Sequence, residues 1–229
     1  MAVPVTIDVV MPARDEASTV TANVASAAGA RHVREVVVVD DGSTDGTGEV
    51  ALAAGAKVIR REAPSGSKAH AMAAGVAATD ADSILFVDAD CVGLTAAHLD
   101  QICEPYVAGR ASMSIGIFDY GPLRNPVILR LPSISGERVI PRWVFESIPP
   151  AKLAGWTIET RINEVIALNR LPTTVRIMRG VHHRTKREKF GKVEGVRRTL
   201  GMFRDLFRML RRDVLWRTYL YYLRRLTVE

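Results

Sequence analysis

The chain has 229 residues, of which 48% are hydrophobic, and its formal net charge at pH 7 is +6. Such a chain can bury a sizeable core, so these values exclude an intrinsically disordered protein and favour one large domain, alone or with a small appendage. The two cysteines, Cys91 and Cys103, are too few for a disulfide or zinc framework. No apolar run approaches the roughly 18 residues of a membrane span, and nothing resembles a signal peptide, so we expect a cytoplasmic protein.

Strand and helix patterns alternate over the first part of the chain. The predicted strands cover 5–11, 35–39, 57–60 and a fourth run that ends at Asp88, and the predicted helices cover 17–30, 45–54 and 68–78. The run 84–87 is too short for a helix and too apolar for an exposed strand, which indicates a central strand of a parallel sheet. This alternation predicts an α/β fold with a Rossmann-like, mostly parallel sheet flanked by helices.

Paired acids follow two of these strands. Asp40 and Asp41 come directly after the second strand, and Asp88-Ala89-Asp90 follows the fourth. A single Asp at such a position could simply form a turn or cap the next helix. Two such pairs at one sheet edge would repel each other unless a cation or a donor-rich ligand neutralised them. Mg²⁺ or Mn²⁺, which prefer oxygen ligands, are the expected cations.

The middle of the chain, 110–155, contains six prolines and no regular pattern. Loops that close over a substrate are often built this way, and an irregular β-region would look the same. Beyond it, the sequence predicts a helix over 158–169, a strand over 174–178 and a basic, histidine-containing loop over 180–191.

Four motifs now stand in order: 10–16 (VMPARDE), 40–47 (DDGSTDGT), 66–68 (GSK) and 88–90 (DAD). Together they resemble the nucleotide-sugar-binding half of GT-A fold glycosyltransferases, above all glycosyltransferase family 2 and the related glucosyl-phosphoglycerate and mannosylglycerate synthases. The resemblance implies a GT-A domain over 1–194, with a nucleotide-sugar half (1–91) and an acceptor half (92–194). Residues 195–229 would form a basic amphipathic helical extension.

The resemblance also assigns roles to individual residues. The first motif would line the pocket for the base and ribose. Asp41 would accept a hydrogen bond from the base N–H, and Lys68 would offset the charge of the diphosphate. Asp88 would face the ribose and Asp90 would hold the metal. The implied nucleotide-sugar contacts are Pro12, Ala13, Arg14, Glu16, Asp40, Asp41, Gly66, Lys68, Asp88, Ala89, Asp90 and Gly136.

The acceptor side carries the expected catalytic group, Glu159, which matches a position that acts as a base or orients the acceptor. It could equally be an acid that stabilises a helix N-terminus. His183 resembles the histidine that completes the metal site beside Asp90, with His182 and Asp88 as weaker candidates, although surface histidines in basic loops usually bind no metal. Gly136 would let its loop approach the sugar closely, or simply form a turn.

The basic charge is concentrated near the end of the chain, since residues 184–225 hold 14 Lys or Arg against 4 Asp or Glu. Apolar residues recur every three or four positions over 196–214, the pattern of an amphipathic cationic helix. The aromatic residues Trp216, Tyr219, Tyr221 and Tyr222 follow, and such residues favour a membrane boundary. We expect 196–226 to meet an anionic membrane surface on the inner face, to pack on its own domain, or to pair two copies in a homodimer. No nucleic-acid-binding module accompanies the charge.

The predicted activity is that of a metal-dependent glycosyltransferase. It would move a hexose from a UDP- or GDP-linked donor to a hydroxyl or phosphate acceptor, with a lipid-linked acceptor as one option. The first alternative is a sugar-1-phosphate nucleotidyltransferase, which needs a glycine-rich loop that 11–17 lacks. The second is a metal-binding, receiver-like module without catalysis, which would be about half this length.

Overall fold

The computed structural model describes residues 5–62, 67–129, 135–153, 158–183, 220–222 and 224–229. The strands are β1 (Ile7–Ala13), β2 (Glu35–Asp40), β3 (Lys57–Arg60), β4 (Ser83–Phe86), β5 (Cys91–Val92), β6 (Met113–Phe118), β7 (Arg138–Pro141), β8 (Thr173–Met178), β9 (His182–His183) and β10 (Leu226–Val228). The helices are α1 (Ala17–Ala28), α2 (Thr47–Ala53), α3 (Lys68–Ala77), α4 (Ala96–Val107), α5 (Asn125–Ile128), α6 (Arg142–Glu146) and α7 (Ile158–Leu168).

Within the described ranges, eight strands form one sheet in the order β10-β8-β6-β7-β4-β1-β2-β3. The neighbours pair in parallel except around β7, which is antiparallel to both β4 and β6. The predicted mostly parallel α/β sheet is therefore confirmed. β5 and β9 form a separate antiparallel pair beside it.

The central strands are mainly apolar because both faces of the sheet are covered; the buried Asp8 of β1 and Arg138 of β7 are exceptions. In β1, Val9 and Met11 point into one core while Val10 points into the other, and all three are fully buried. Helix α3 packs very closely on this strand, since a Cβ at Gly75 would lie 2.4 Å from Val10 Cγ1. Continuous apolar runs are what a doubly covered parallel strand requires.

The irregular middle of the chain contributes strands to the main sheet. β6 and β7 lie inside the sheet, between β8 and β4, and every residue of β6 is buried. Ser114 and Gly116 interrupt the apolar pattern of β6, which hides this strand in the proline-rich stretch 110–155. Residues 182–183 belong to β9, which corrects the loop predicted over 180–191 for these two positions.

The end of the chain returns to the domain. β10 pairs in parallel with β8. Tyr222 is 3% exposed and lies in the core that contains Val10, which we call the second core. The Tyr221 hydroxyl donates to the Leu171 carbonyl at 2.6 Å. Of the alternatives left open for this segment, these contacts of the two tyrosines favour packing on its own domain, and residues 226–228 are strand rather than helix. The amphipathic pattern over 196–214 lies outside the described residues. No helix in the described part of the chain is long and apolar enough to cross a membrane.

Candidate active site

The carboxyl ends of β1, β2 and β4 meet at one edge of the sheet. Ala13 lies opposite Asp40 in the β1–β2 register, and the Asp41 N–H donates to the Ala13 carbonyl at 2.9 Å. The loop after β4 carries Asp88 and Asp90 to the same edge. Ligands of open α/β sheets bind at such an edge, so the predicted motifs lie where binding chemistry is expected.

The loops after β1 and β2 hold each other. The Asp15 N–H donates to Ser43 Oγ at 3.0 Å, and the Thr44 N–H donates to Asp15 Oδ1 at 2.9 Å. The Glu16 N–H donates to Thr47 Oγ1 at 2.8 Å, which joins the start of α1 to the start of α2. We call residues 14–16 and 41–47, which these hydrogen bonds join, the rim. Within the rim, Glu16 is buried and Arg14 is exposed. Pro12 and Ala13 are the last two residues of β1.

Asp40 and Asp41 have basic partners within the protein. Asp40 is 0% exposed, accepts the Ser43 N–H at 2.9 Å and lies 3.5 Å from Arg60 Nε. Asp41 Oδ1 lies 3.4 Å from Arg61 Nη1. Donor groups of Arg60, the last residue of β3, and of Arg61, which follows it, therefore offset part of the charge of this pair within the protein. The roles of both acids toward a ligand stay predictions.

Lys68, the first residue of α3, brings together groups from three other parts of the chain. Its Nζ lies 2.5 Å from Asp88 Oδ1 and 2.9 Å from Glu159 Oε1. A Cβ at Gly136 would lie 2.7 Å from Asp88 Oδ2 and 2.8 Å from Lys68 Nζ, so a side chain there would displace these two charged groups. Burial opposes the lysine charge, but Asp88 and Glu159 outweigh it and raise the pKa of Lys68. The lysine is therefore a fixed cation at the centre of the site.

Two charged residues of this region were not among the predicted contacts. Glu137 is fully buried, and burial together with the charge of Asp88 raises its pKa to about 7. Arg138 is also fully buried, and its guanidinium donates to Asn163 Oδ1 at 2.7 Å, to the Glu159 carbonyl at 3.3 Å and to the Ser135 carbonyl. Burial lowers the pKa of Arg138.

A sequence signal for these residues existed. Consecutive residues of a strand point to opposite faces, so an adjacent Glu-Arg pair entering a strand buried on both faces must bury charge on each side. Because isolated buried charge is costly, such a pair needs internal partners. Arg138 meets this need by tying the loop 135–137 to the first turn of α7, which carries Glu159.

We call residues 88–92 the acid loop. The Ala89 carbonyl accepts from Thr19 Oγ1 at 2.7 Å and from Asn23 Nδ2 at 2.9 Å, both on α1. β5, the end of the acid loop, pairs with β9 so that Cys91 lies opposite His183 and Val92 opposite His182. The backbone of the predicted metal-binding histidine therefore lies beside the residue that follows Asp90.

The donor set suits a hard divalent cation, since the carboxylates of Asp88 and Asp90 supply the oxygen ligands that Mg²⁺ and Mn²⁺ prefer. The side chain of His182 is exposed. Among the described residues, no cluster of three or more metal-binding side chains occurs, so His183 stays a prediction. Gly66 lies outside the described residues.

A mostly parallel, Rossmann-like sheet with acidic side chains at its carboxyl edge belongs to the class of open α/β folds that bind ligands at that edge. The chain belongs to glycosyl transferase family 2, whose model matches residues 8–218. This match confirms the family that the sequence motifs predicted.

Among curated proteins, the chain is similar to glucosyl-3-phosphoglycerate synthase of Mycobacterium tuberculosis, at 31% identity over 127 residues that cover 52% of this chain and 39% of the relative. The synthase of Mycolicibacterium smegmatis is 41% identical over 95 residues, 38% of this chain and 31% of the relative. The chain thus matches only about two fifths of the length of the M. tuberculosis relative.

Solved structures of the M. tuberculosis synthase have the same fold. Its complex with Mn²⁺, UDP and glucosyl-3-phosphoglycerate has a TM-score of 0.63 at 26% identity, over 78% of this chain and 72% of that one. Its complex with Mn²⁺, UDP-glucose and phosphoglyceric acid has a TM-score of 0.64 at 26% identity, over the same shares. The GT-A fold is therefore confirmed.

Proposed function

We propose that this chain is a divalent-metal-dependent hexosyltransferase that uses a UDP-linked hexose and a small phosphorylated acid, of the phosphoglycerate kind, as acceptor. The observation that carries the proposal is the meeting of Lys68, Asp88, Gly136 and Glu159 at the carboxyl edge of the sheet. We choose the donor, the acceptor and the metal by similarity to the synthase structures, which contain UDP or UDP-glucose, a phosphoglycerate compound and Mn²⁺.

The donor end of the site would be formed by the rim of the first two loops and by the acid loop. Glu16 and Asp41 would accept hydrogen bonds from the base and ribose, and Asp88 would face the ribose. Lys68 would exchange part of its contact with Asp88 and Glu159 for the diphosphate, whose charge grows as the sugar leaves. A fixed ammonium serves this role without reorganising solvent at the moment of reaction.

Asp90 would hold the divalent cation, with His183 as its second protein ligand. When bound, such a cation offsets the negative charge of the departing diphosphate. Mg²⁺ and Mn²⁺ both occur in structures of the similar synthase.

Glu159 would receive the acceptor hydroxyl. Its carboxylate lies 2.9 Å from Lys68 Nζ, and its own backbone carbonyl is held by Arg138. An ionised carboxylate in this position can accept a hydrogen bond from the attacking hydroxyl, as a base in an inverting reaction or as an anchor in a retaining one. The anomeric proton signal of the product distinguishes these two outcomes.

A lipid-linked acceptor, membrane attachment and a homodimer rest on the sequence of 196–226 alone. The described part of this segment supports packing on its own domain instead, since Tyr222 is buried and Tyr221 donates to Leu171. We therefore propose the small acidic acceptor. Flotation with anionic liposomes checks this choice, and recovery of the protein with the lipid would overturn it.

Release of UDP from UDP-glucose, with Mn²⁺ and 3-phosphoglycerate present, tests the activity directly. We expect turnover by the unmodified chain and a loss of at least about 100-fold in kcat for Asp90→Ala and for Lys68→Met, the scale set by removing one stabiliser of developing charge. Asp100→Ala is the matched control, because Asp100 lies on α4 and pairs with exposed Arg31. An unmodified chain that releases no UDP from UDP-glucose or any other UDP-hexose would refute the proposal.

A further inference from the structure

One face of α1 carries three polar side chains that hold the chain after β4. Thr19, Asn23 and Ser26 are spaced by four and three residues, so they lie on the same side of the helix. Thr19 and Asn23 donate to the Ala89 carbonyl, and Ser26 Oγ donates to the Leu94 carbonyl at 2.9 Å. These contacts dock the acid loop and the residues just after it on α1.

Asn23 has a particular place in this row because it contacts the loop on both sides of Asp90. Its Nδ2 donates to the Ala89 carbonyl at 2.9 Å and to the Cys91 carbonyl at 3.0 Å. A side-chain amide nitrogen has two hydrogens, so both are used. The reverse orientation of the amide would place its oxygen against two carbonyl oxygens, so the nitrogen must be the atom that faces them.

The Asn23 side chain is shut off from water, with 1% of the residue exposed. No solvent can therefore replace its hydrogen bonds, and the two carbonyls that it holds would lose a buried donor if it were removed. The peptide group that joins Ala89 to Asp90 and the one that joins Cys91 to Val92 are thereby fixed in direction. Asp90 lies between these two held peptide groups, so the direction in which its carboxylate leaves the backbone depends on them.

We infer that Asn23, assisted by Thr19, is a positioning residue that aims Asp90 at the divalent cation and the donor diphosphate. The inference rests on the proposed function, because it concerns the same metal site. Groups that orient a metal ligand without touching the metal typically contribute about 10–100-fold to metal affinity or activity. α1 thus takes part in metal binding through the backbone of the acid loop.

The test measures binding of UDP with Mn²⁺ by titration calorimetry, starting with the unmodified chain. We expect Asn23→Ala to weaken the binding about 10–100-fold, and Thr19→Val to weaken it less, in the same direction. Ser26→Ala is the matched control, because it removes one hydrogen bond between the same face of α1 and a carbonyl beyond the acid loop. Ser26 orients no metal ligand, so the affinity of Ser26→Ala for UDP with Mn²⁺ should stay within about twofold of the unmodified chain.

A second readout separates positioning from general loss of structure. In turnover assays Asn23→Ala should raise the KM for Mn²⁺ while kcat at saturating Mn²⁺ stays closer to that of the unmodified chain. If Asn23→Ala shows no cooperative thermal transition, it is not folded. Thr19→Val then tests the inference by the same binding and turnover measurements.

Binding unchanged in Asn23→Ala, or weakened equally in Ser26→Ala, would overturn the inference while leaving the proposed function intact. Failure of the unmodified chain to bind UDP with Mn²⁺ would instead overturn the proposed function itself.

Discussion

Burial raises the pKa of Glu137 to about 7 from an ordinary value of 4.5, because the carboxylate is cut off from water beside Asp88. Ser135 Oγ donates to it at 2.7 Å, and Lys68 offsets part of its charge, yet burial prevails. The folded protein therefore binds this proton more tightly than the unfolded chain does. Between about pH 4.5 and 7, this group makes the folded state less stable as the pH rises, and above pH 7 its effect is constant.

Glu137→Gln tests that consequence, since glutamine keeps the shape and does not titrate. The free energy of unfolding of Glu137→Gln minus that of the unmodified chain should grow by about 3 kcal/mol from about pH 4.5 to 7.5, from the shift in pKa. Urea unfolding in EDTA across this range measures it. The exposed Glu104→Gln serves as control and should give a flat difference. A flat difference for Glu137→Gln as well would show that its carboxyl titrates normally.

The residues of the site show what a sequence can and cannot reveal. The resemblance placed Lys68, Asp88, Gly136 and Glu159 in one site, and the structure brings these four together although they are far apart along the chain. Composition and periodicity alone would not have joined them. The internal pairing of Asp40 with Arg60 was missed because it depends on the register of two strands, which no local pattern reports.

At the scale of elements, the four strands of the first part of the chain were predictable, the edge strand β3 included. β1, β2 and β4 are mainly apolar, and their positions were predicted to within about two residues, the usual accuracy for element boundaries. β6 was missed because Ser114 and Gly116 break its run. Gly116 is small for a tertiary reason, since a Cβ there would lie 2.5 Å from Ile102 Cδ1 of α4. That contact is invisible until the helix is placed.

Gly75→Ala tests the packing of α3 on the sheet through the sign of the change in the free energy of unfolding. Replacing an interior helical glycine with alanine ordinarily stabilises a protein by about 0.5–1 kcal/mol. At Gly75 the added Cβ would lie 2.4 Å from Val10 Cγ1 and 3.0 Å from Val39 Cγ2, so α3 would have to move away from the sheet. We expect Gly75→Ala to lower the free energy of unfolding by about 1–3 kcal/mol. Chemical denaturation measures it, and a gain in stability would contradict the close packing of α3.

At the scale of the whole molecule, residues 226–228 form the edge strand of the main sheet beside β8. β10 extends the sheet beyond β8, and Glu229 pairs with Arg176 at 2.5 Å and with Arg110 at 3.3 Å. The Tyr222 hydroxyl donates to the Asn163 carbonyl on α7, the helix that begins with the turn carrying Glu159. A segment whose composition suggested a membrane contact is thus joined to the element that carries the expected catalytic acid.

Tyr222→Ala tests whether Tyr222 packs on its own domain or contacts a membrane. Because Tyr222 is packed in the second core, its truncation should lower the free energy of unfolding by about 3–5 kcal/mol, as for other buried aromatic side chains. Trp143→Ala is the control, since Trp143 is 46% exposed and should cost much less. Urea unfolding of both variants gives the comparison. An aromatic membrane anchor would behave in the opposite way: Tyr222→Ala would leave the stability unchanged and reduce recovery with anionic liposomes, and that pair of results would reject the packed chain end.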